Sequence, residues 1–255
     1  MQVQFYSDLH IEYEESDHVD VLKYITPKKG VDVLILAGDI GNLYRYDQLK
    51  NFLMDISVYY KHVFYVLGNH EFYRRRTLPP KPYQLLYKDA NRLQEHIHKL
   101  IILNNDSYLV NNRYCFIGST LWSKIHSTQI FPHFRVKING FNKFIYNKFN
   151  QKNIEYIKTM LELCQKKKWI PIVITHYTPT FKCIHDKHSD DVYQYLYANS
   201  LDDLIYQMKP KYWIAGHTHE NFDFMLGETH IISNQLGKSS ENVKNYHSEK
   251  ILTID

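Results

Sequence analysis

The chain has 255 residues and a mass of 30.6 kDa, so it is too long to be a peptide hormone or a small disulfide scaffold. Its 31 basic and 27 acidic residues leave a formal net charge of +4, which is too small an excess to indicate a nucleic-acid partner by itself. Its hydrophobic residues include 22 tyrosines, whose hydroxyl groups need partners when buried, and this composition argues against a transmembrane bundle.

Three cysteines, Cys115, Cys164 and Cys183, form no Cys-x-x-Cys pair, which suits a reducing compartment and argues against a disulfide framework. The first residues run directly into a strand-like pattern, without the basic and apolar segments of a signal peptide. We therefore expect a cytoplasmic protein with no membrane partner. The sequence leaves the oligomeric state open.

Short β-branched or aromatic runs alternate along the chain with stretches of helical spacing, which is typical of an α/β protein with buried strands. In chain order this pattern predicts strands at 3–6 and 31–36, a helix at 46–60, a strand at 62–67, a helix at 83–100, a hairpin at 108–117, a helix at 147–168, a strand at 170–174, a helix at 201–208, a strand at 212–215 and a hairpin at 222–232. The hairpins imply a mixed sheet.

Residues 119–147 have no clear periodicity and are rich in aromatic, lysine and histidine residues. We expect this segment to be either a long functional loop, such as a lid, or a small insertion. Because no linker or repeat is found elsewhere, residues 1–255 are predicted to form one domain.

Residue types that bind metals follow each of the five predicted core strands at once, where an open α/β sheet presents its functional loops. In chain order they are Asp8 and His10; Asp39; Asn69, His70 and Glu71; His176; and His217 and His219. In an extended segment residues i and i+2 point the same way, so the pair Asp8 and His10 is predicted to bring two ligands to one spot. The pair His217 and His219 is predicted to do the same. Two such pairs indicate two metal ions, and Asp39 is the natural bridging carboxylate.

These side chains offer carboxylate, imidazole and amide groups but no thiolate. That set suits Mn, Fe, Zn or Co better than copper or an iron–sulfur cluster. We expect two divalent ions, with Mn as the first choice.

The ordered motifs Asp-x-His, Gly-Asp, Gly-Asn-His-Glu, Thr-His and Gly-His-x-His resemble the calcineurin-like metallophosphoesterase superfamily over nearly the whole chain. The sequence is most similar to its single-domain predicted phosphohydrolase group. The resemblance implies an α/β fold of four layers, a sandwich of two mixed β-sheets flanked by helices. It also implies that one ion is held by Asp8, His10, Asp39 and His219, and the other by Asp39, Asn69, His176 and His217.

The chemistry that this resemblance implies is phosphoester hydrolysis by a hydroxide that bridges the two ions. His70 matches a histidine that is not a ligand and that protonates the leaving group. Glu71 has no direct part in this chemistry and is expected to support a neighbour.

The sequence departs from the family at two points. Gly38-Asp39 is followed by Ile40, where the protein serine/threonine phosphatases have an Asp-Arg pair that binds phosphate. The run Arg74, Arg75 and Arg76 either replaces that phosphate anchor or forms a solvated loop. Residues 234–238 read Asn-Gln-Leu-Gly-Lys instead of the usual Asn-Pro-Arg-Gly-Tyr, so any role of that arginine and tyrosine is missing or moved.

We therefore expect a metal-dependent phosphoric ester hydrolase whose substrate is a phosphorylated small molecule or nucleotide, with monoester and diester hydrolysis both open. A nuclease is the main alternative, because aromatic and lysine residues at 131–149 could hold single-stranded nucleic acid. The other alternative is a non-catalytic binding scaffold of the same fold, as in the retromer subunit. Such a scaffold could lose ligands without harm, whereas this chain has a residue at every ligand position. The polar residues at 185–191 are interpreted as a surface loop or helix start rather than a third metal site.

Overall fold

The computed structural model describes residues 1–74, 78–184 and 192–254, and its framework is a pair of β-sheets. The strands are β1 (Gln2–Tyr6), β2 (Val33–Ala37), β3 (His62–Val66), β4 (Leu100–Ile102), β5 (Asp106–Val110), β6 (Tyr114–Ser119), β7 (Ile170–Thr175), β8 (Tyr212–Ile214), β9 (Asp223–Leu226), β10 (Thr229–Ile232) and β11 (Ile251–Thr253). The helices are α1 (Tyr46–Ser57), α2 (Tyr83–His96), α3 (Lys143–Lys167) and α4 (Asp202–Met208).

Both sheets have parallel centres; the first has one antiparallel edge strand and the second has two. The first sheet has five strands in the order β11-β1-β2-β3-β4, and only β11 runs antiparallel to its neighbour. The second has six strands in the order β5-β6-β7-β8-β10-β9, with antiparallel β5 and β9 at its two edges. The predicted mixed sheets and both predicted hairpins are thus confirmed.

The two sheets pack face to face over an apolar core. Its fully or nearly fully buried side chains include Val3, Phe5, Val33, Ile35, Phe64, Phe116, Ile172, Ile174, Ile214 and Ile232. These residues alternate along their strands with others that face the helices, such as Leu34 and Leu36 of β2. Because the central strands are buried on both faces, they appear in the sequence as continuous apolar runs. The predicted α/β sandwich of two sheets flanked by helices is confirmed.

The structure corrects two element boundaries and adds one strand. The helix predicted to reach residue 100 ends at His96, and Leu100–Ile102 instead forms β4 beside β3. A run of this length fits helical and strand periodicity equally well, so only its pairing with β3 identifies it as a strand. The helix predicted from residue 147 begins at Lys143, because the side chain of Asn142 accepts a hydrogen bond from the backbone N–H of Ile145 at 3.0 Å and caps it. The three-residue edge strand β11 was not predicted.

The segment predicted as a loop or insertion has no helix or strand between β6 and α3. Seven of its apolar side chains are buried in the larger hydrophobic cluster: Leu121, Trp122, Ile125, Phe131, Val136, Ile138 and Phe141. The ring of Trp122 lies 5.2 Å from that of Phe141 and 5.3 Å from that of Tyr146.

The three cysteines are buried and are not joined by disulfide bonds. Across the described residues, no helix combines the length and the apolar character needed to cross a bilayer.

Candidate metal centre

The predicted ligands lie in loops at the carboxyl ends of β1, β2, β3, β7 and β8, where the two sheets meet. Backbone hydrogen bonds join these loops to one another: Asp8 N–H donates to Gly38 at 2.9 Å, and Gly216 N–H donates to His176 at 3.0 Å. The first bond links neighbouring loops of the first sheet, and the second links β7 to β8. The hydrogen-bond register that pairs the strands therefore also brings these loops together.

Five of the predicted ligands have a left-handed backbone, with φ values from 51° to 77°: Asp8, His10, Asp39, His217 and His219. Such values are uncommon outside glycine and concentrate at functional sites, where surrounding contacts hold them in place. The expectation of an extended segment with side chains alternating at i and i+2 is wrong here. The chain turns at each ligand instead.

Two glycines are required by the close approach of side chains. A Cβ atom at Gly68 would lie 2.2 Å from Oδ1 of Asp39, and one at Gly38 would lie 2.4 Å from Nδ1 of His176. Gly38 also has φ of +87°, which an L side chain rarely adopts. The glycines that precede the motif residues therefore make room for the motif side chains themselves.

The first group of candidate ligands is Asp8, His10, Asp39 and His219, whose ligand atoms all lie within 4.8 Å of one another. Nε2 of His219 is 3.3 Å from Oδ1 of Asp8 and 3.0 Å from Nε2 of His10. Oδ2 of Asp39 lies 4.0 Å from Nε2 of His10. Except for His219, which keeps 15% of its side chain exposed, these side chains are almost completely buried.

The second group shares Asp39 and adds His176 and His217, again within 4.8 Å. Nε2 of His176 is 3.4 Å from Oδ1 of Asp39, 3.2 Å from Nδ1 of His217 and 2.9 Å from Oδ1 of Asn69. The structure thus separates His217 from His219, so the prediction that this pair brings two ligands to one spot is wrong. Asp39 is the residue that both groups contain.

Each of the four histidines has one ring nitrogen bound to an acceptor outside the centre and the other facing inward. The outward Nδ1 atoms of His10 and His219 bind Glu12 and Glu241, at 3.1 and 2.5 Å. The outward nitrogens of His176 and His217 bind backbone carbonyls instead. Nδ1 of His176 donates to the carbonyl of Ala37, and Nε2 of His217 donates to that of Leu196, both at 3.0 Å.

Ionised carboxylates and carbonyl oxygens only accept, so each outward nitrogen carries the proton. The inward nitrogens are Nε2 in His10, His176 and His219 but Nδ1 in His217. Each is available to a metal once it is deprotonated. The donor set, the tautomers and the shared carboxylate fit two divalent ions.

The carboxylates of the centre favour positive charge there. Burial lowers the pKa of His219, but hydrogen bonds to Asp8 and Glu241 outweigh it and raise this pKa to about 10. Burial also lowers the pKa of His176, but the charge of Asp39 outweighs burial and raises this pKa to about 9. A metal ion bound at these carboxylates would take the place of the protons on the two rings.

His70 lies at the edge of the centre, with its backbone N–H donating to Oδ1 of Asp39 at 2.8 Å. Its Nδ1 lies 3.0 Å from Oε1 of Glu12, the same oxygen that binds His10. Burial acts to raise the pKa of Glu12, but the hydrogen bonds from these two histidines outweigh burial and lower this pKa to about 2. Glu12 is therefore ionised and its contact orients the imidazole of His70, leaving Nε2 of that ring for another partner. The atoms of His10, Glu12 and His70 also lie close enough to form a third potential ligand group.

Glu71 binds the two loops of the first sheet together. Its carboxylate accepts backbone N–H groups of Asp39, Ile40 and Gly68 at 2.8–3.1 Å and the hydroxyl of Tyr65 at 2.5 Å. This is the supporting role that the sequence predicts.

Replacing Glu71 with alanine is expected to destabilise the protein by about 3 kcal/mol or more, because three buried N–H groups lose their acceptor. Chemical denaturation measures the change. Glu155→Ala, at an exposed position on α3, should change the free energy of unfolding by less than about 0.5 kcal/mol. A loss at Glu71 no larger than at Glu155 would contradict the supporting role.

A cleft of about 480 Å³ opens onto the centre and is lined by Asp39, Asn69, His70, His217 and His219. Three basic side chains also line it: Arg135, Lys137 and Lys238. Arg135 donates to the hydroxyl of Tyr197 at 2.9 Å, and its guanidinium lies 4.5 Å from the centre of the Tyr193 ring.

Of the three predicted substrate-binding arginines, Arg74 is exposed, and its Nε donates to the carbonyl of Leu78 at 3.4 Å. It is not among the described residues that line the cleft. Arg75 and Arg76 lie outside the described residues, as does the polar segment 185–191.

Glu12 and Glu241 were missed as contributors to the centre. Glu12 follows His10 by two residues, so its place in the motif was a usable signal. Glu241 lies 22 residues after His219 in a loop, and no local spacing connects the two.

Two mixed sheets flanked by helices, with a histidine and carboxylate centre at their strand ends, define a class of metal-dependent phosphoester hydrolases. The chain belongs to the calcineurin-like phosphoesterase family, whose family model matches residues 1–221.

The chain is 30% identical over 282 aligned positions to the uncharacterized protein L509 of Acanthamoeba polyphaga mimivirus, covering 99% of this chain and 96% of that protein. In fold it is similar to the phosphopantetheinyl hydrolase PptH of Mycobacterium tuberculosis, with a TM-score of 0.74 and 13% identity over 100% of this chain and 96% of that one. It is also similar to the protein TT1561 of Thermus thermophilus, with a TM-score of 0.58 and 13% identity over 92% and 88% of the two chains.

Proposed function

We propose that this protein is a dinuclear metal-dependent phosphoesterase that hydrolyses a phosphorylated small molecule or nucleotide. The observation that carries the proposal is the pair of ligand groups that share Asp39 on the wall of one cleft. One ion would be held by Asp8, His10, Asp39 and His219, and the other by Asp39, Asn69, His176 and His217. Two divalent ions bound there would supply the nucleophile and neutralise the phosphoryl oxygens.

The protein side chains then have separate tasks. The ligand residues hold their inward nitrogens and oxygens in place before substrate arrives, because their outer hydrogen bonds fix each ring. His70 lies in the cleft wall and donates the proton that the leaving oxygen needs, from Nε2. Glu12 orients the ring of His70 for this role through its contact with Nδ1.

The cleft walls support a small anionic substrate. A volume of about 480 Å³ is within the range of small-ligand sites, and the three basic residues Arg135, Lys137 and Lys238 complement phosphate charge. We also propose that at least one of Arg74, Arg75 and Arg76 contacts substrate. Replacing all three by alanine should then lower kcat/KM, and an unchanged value would remove them from the site.

Turnover of p-nitrophenyl phosphate and of bis-p-nitrophenyl phosphate, measured with added Mn²⁺, tests the function. We expect hydrolysis of at least one ester and its loss when a chelator removes the ions. Comparing the two esters also decides between monoester and diester preference. Absence of both activities from protein that carries two ions would contradict catalysis, and absence of metal binding would contradict the whole proposal.

A nuclease is the second candidate, supported by the Phe134, Arg135 and Lys137 side chains that line the same cleft. Aromatic and basic groups together are what single-stranded nucleic acid binds. Binding of an oligonucleotide that weakens steeply with salt would favour this function, and binding with little salt dependence would exclude it.

A further inference from the structure

The acceptors behind the four histidines divide the centre into two unequal halves. In the half that contains Asp8, both imidazoles are bound by carboxylates, Glu12 behind His10 and Glu241 behind His219. In the other half, both imidazoles donate to uncharged backbone carbonyls.

The ligands themselves add to this difference in charge. Asp39 is common to both halves, and beyond it the first half has the carboxylate of Asp8 where the second has the neutral amide of Asn69. With Glu12 and Glu241 included, three carboxylates belong to the first half alone.

A carboxylate behind an imidazole draws the Nδ1 proton toward itself and raises the electron density at Nε2, which strengthens that nitrogen as a ligand. Glu12 has 5% of its side chain exposed and Glu241 has 35%, so water screens the charge of Glu241 more than that of Glu12. Of the two carboxylates, Glu12 should therefore have the larger effect.

Glu241 is nevertheless held in place. Its carboxylate accepts the backbone N–H of Lys238 at 2.9 Å, and the backbone N–H of Gly237 in the same loop donates to the backbone carbonyl of Asp8 at 2.9 Å. This loop lies beyond residue 221, where the match to the family ends.

We propose that Glu12 and Glu241 are positioning residues that make the two metal positions unequal, so that the Asp8 position retains its ion after the Asn69 position has lost it. The proposal rests on the dinuclear centre proposed above and deepens it by assigning the order of binding. The two carboxylates achieve this through the charge they place behind His10 and His219.

Equilibrium dialysis against buffers of graded free Mn²⁺, followed by determination of bound manganese by mass spectrometry, measures the two affinities. Wild-type protein should release its ions in two separate steps. His176→Ala should remove the weaker step and leave the tighter one, which assigns the tighter step to the Asp8 position.

Glu241→Gln keeps an acceptor of the same shape and removes the charge. It should weaken the tighter step by about 10-fold and leave the other unchanged, while Glu12→Gln should weaken the tighter step by up to about 100-fold. If Glu241 acted only by orienting the ring of His219, Glu241→Gln should instead behave as wild type.

Asp223→Asn is the matched control, because Asp223 binds Nε2 of His230 at 2.6 Å in a carboxylate–histidine pair away from the centre. It should change neither step. Because Glu241 lies in an exposed loop, its variant tests the proposal even where Glu12→Gln fails to fold.

Simultaneous release of both ions by wild type, or a shift of the weaker step in Glu241→Gln, would overturn the inference. Both results are compatible with phosphoesterase activity, so they leave the proposed function standing. A protein that binds no Mn²⁺ would overturn the proposed function itself.

Discussion

Replacing His70 with asparagine is expected to lower kcat by roughly 10²- to 10⁴-fold while two Mn²⁺ ions remain bound. His70 lies in the cleft wall, and its ring is bound to Glu12, so its loss removes a proton donor without removing a predicted ligand. The size of the loss should depend on the substrate. An ester with a poor leaving group needs the proton more than a p-nitrophenyl ester does, so the poor ester should lose more activity.

The measurement compares kcat for a phenyl and a p-nitrophenyl ester and determines bound manganese in the same samples. His98→Asn, at an exposed position outside the cleft, serves as the control and should behave as wild type. A fall in bound manganese would instead make His70 a ligand, in the group it forms with His10 and Glu12. Equal losses for the two esters would exclude protonation of the leaving group.

Replacing Asp39 with asparagine should weaken both metal positions by more than about 100-fold each and abolish turnover at micromolar Mn²⁺. Outer partners of ligands already account for about 10- to 100-fold in affinity, and Asp39 belongs to both ligand groups. The substitution preserves the shape of the side chain but removes the negative charge that would lie between the two proposed ions.

Asp8→Asn is the informative comparison, because Asp8 belongs to only one of the two groups. It should weaken one position and leave the other near its wild-type affinity, as measured by bound manganese at graded free Mn²⁺. If Asp39→Asn kept one ion at wild-type affinity, Asp39 would not be shared and the dinuclear arrangement would be wrong.

Several features of the site were predictable because they are local. A strand that ends in Gly-Asp or Gly-Asn-His-Glu places its polar residues at the carboxyl edge of a sheet, whatever the rest of the chain does. The motifs Gly-Asp and Gly-Asn-His-Glu themselves contain the glycines that precede Asp39 and Asn69. The α/β class followed from the alternation of buried runs and helical periods, and the sandwich of two sheets followed from the family resemblance.

Other features depended on contacts between distant parts of the chain. Spacing alone placed His217 and His219 together, whereas the left-handed backbone at both residues turns them into different ligand groups. The basic wall of the cleft comes from residues 135 and 137, in a segment without periodicity, and from Lys238 near the other end of the chain.

The sequence by itself determined the α/β class and the ordered set of metal-binding residues, because strand periodicity and strand-end motifs are encoded over a few neighbouring residues. Those motifs carried the family resemblance, and the resemblance implied the sandwich of two sheets. Only the tertiary structure decided which nitrogen of each histidine faces the centre and what lies behind it. Those choices depend on Glu241, on the Leu196 carbonyl and on the Glu12 contact with His70, which span 22, 21 and 58 residues along the chain. Hydrogen bonds of that kind are set by how the loops pack at the meeting of two sheets, and no local pattern in the sequence specifies that packing.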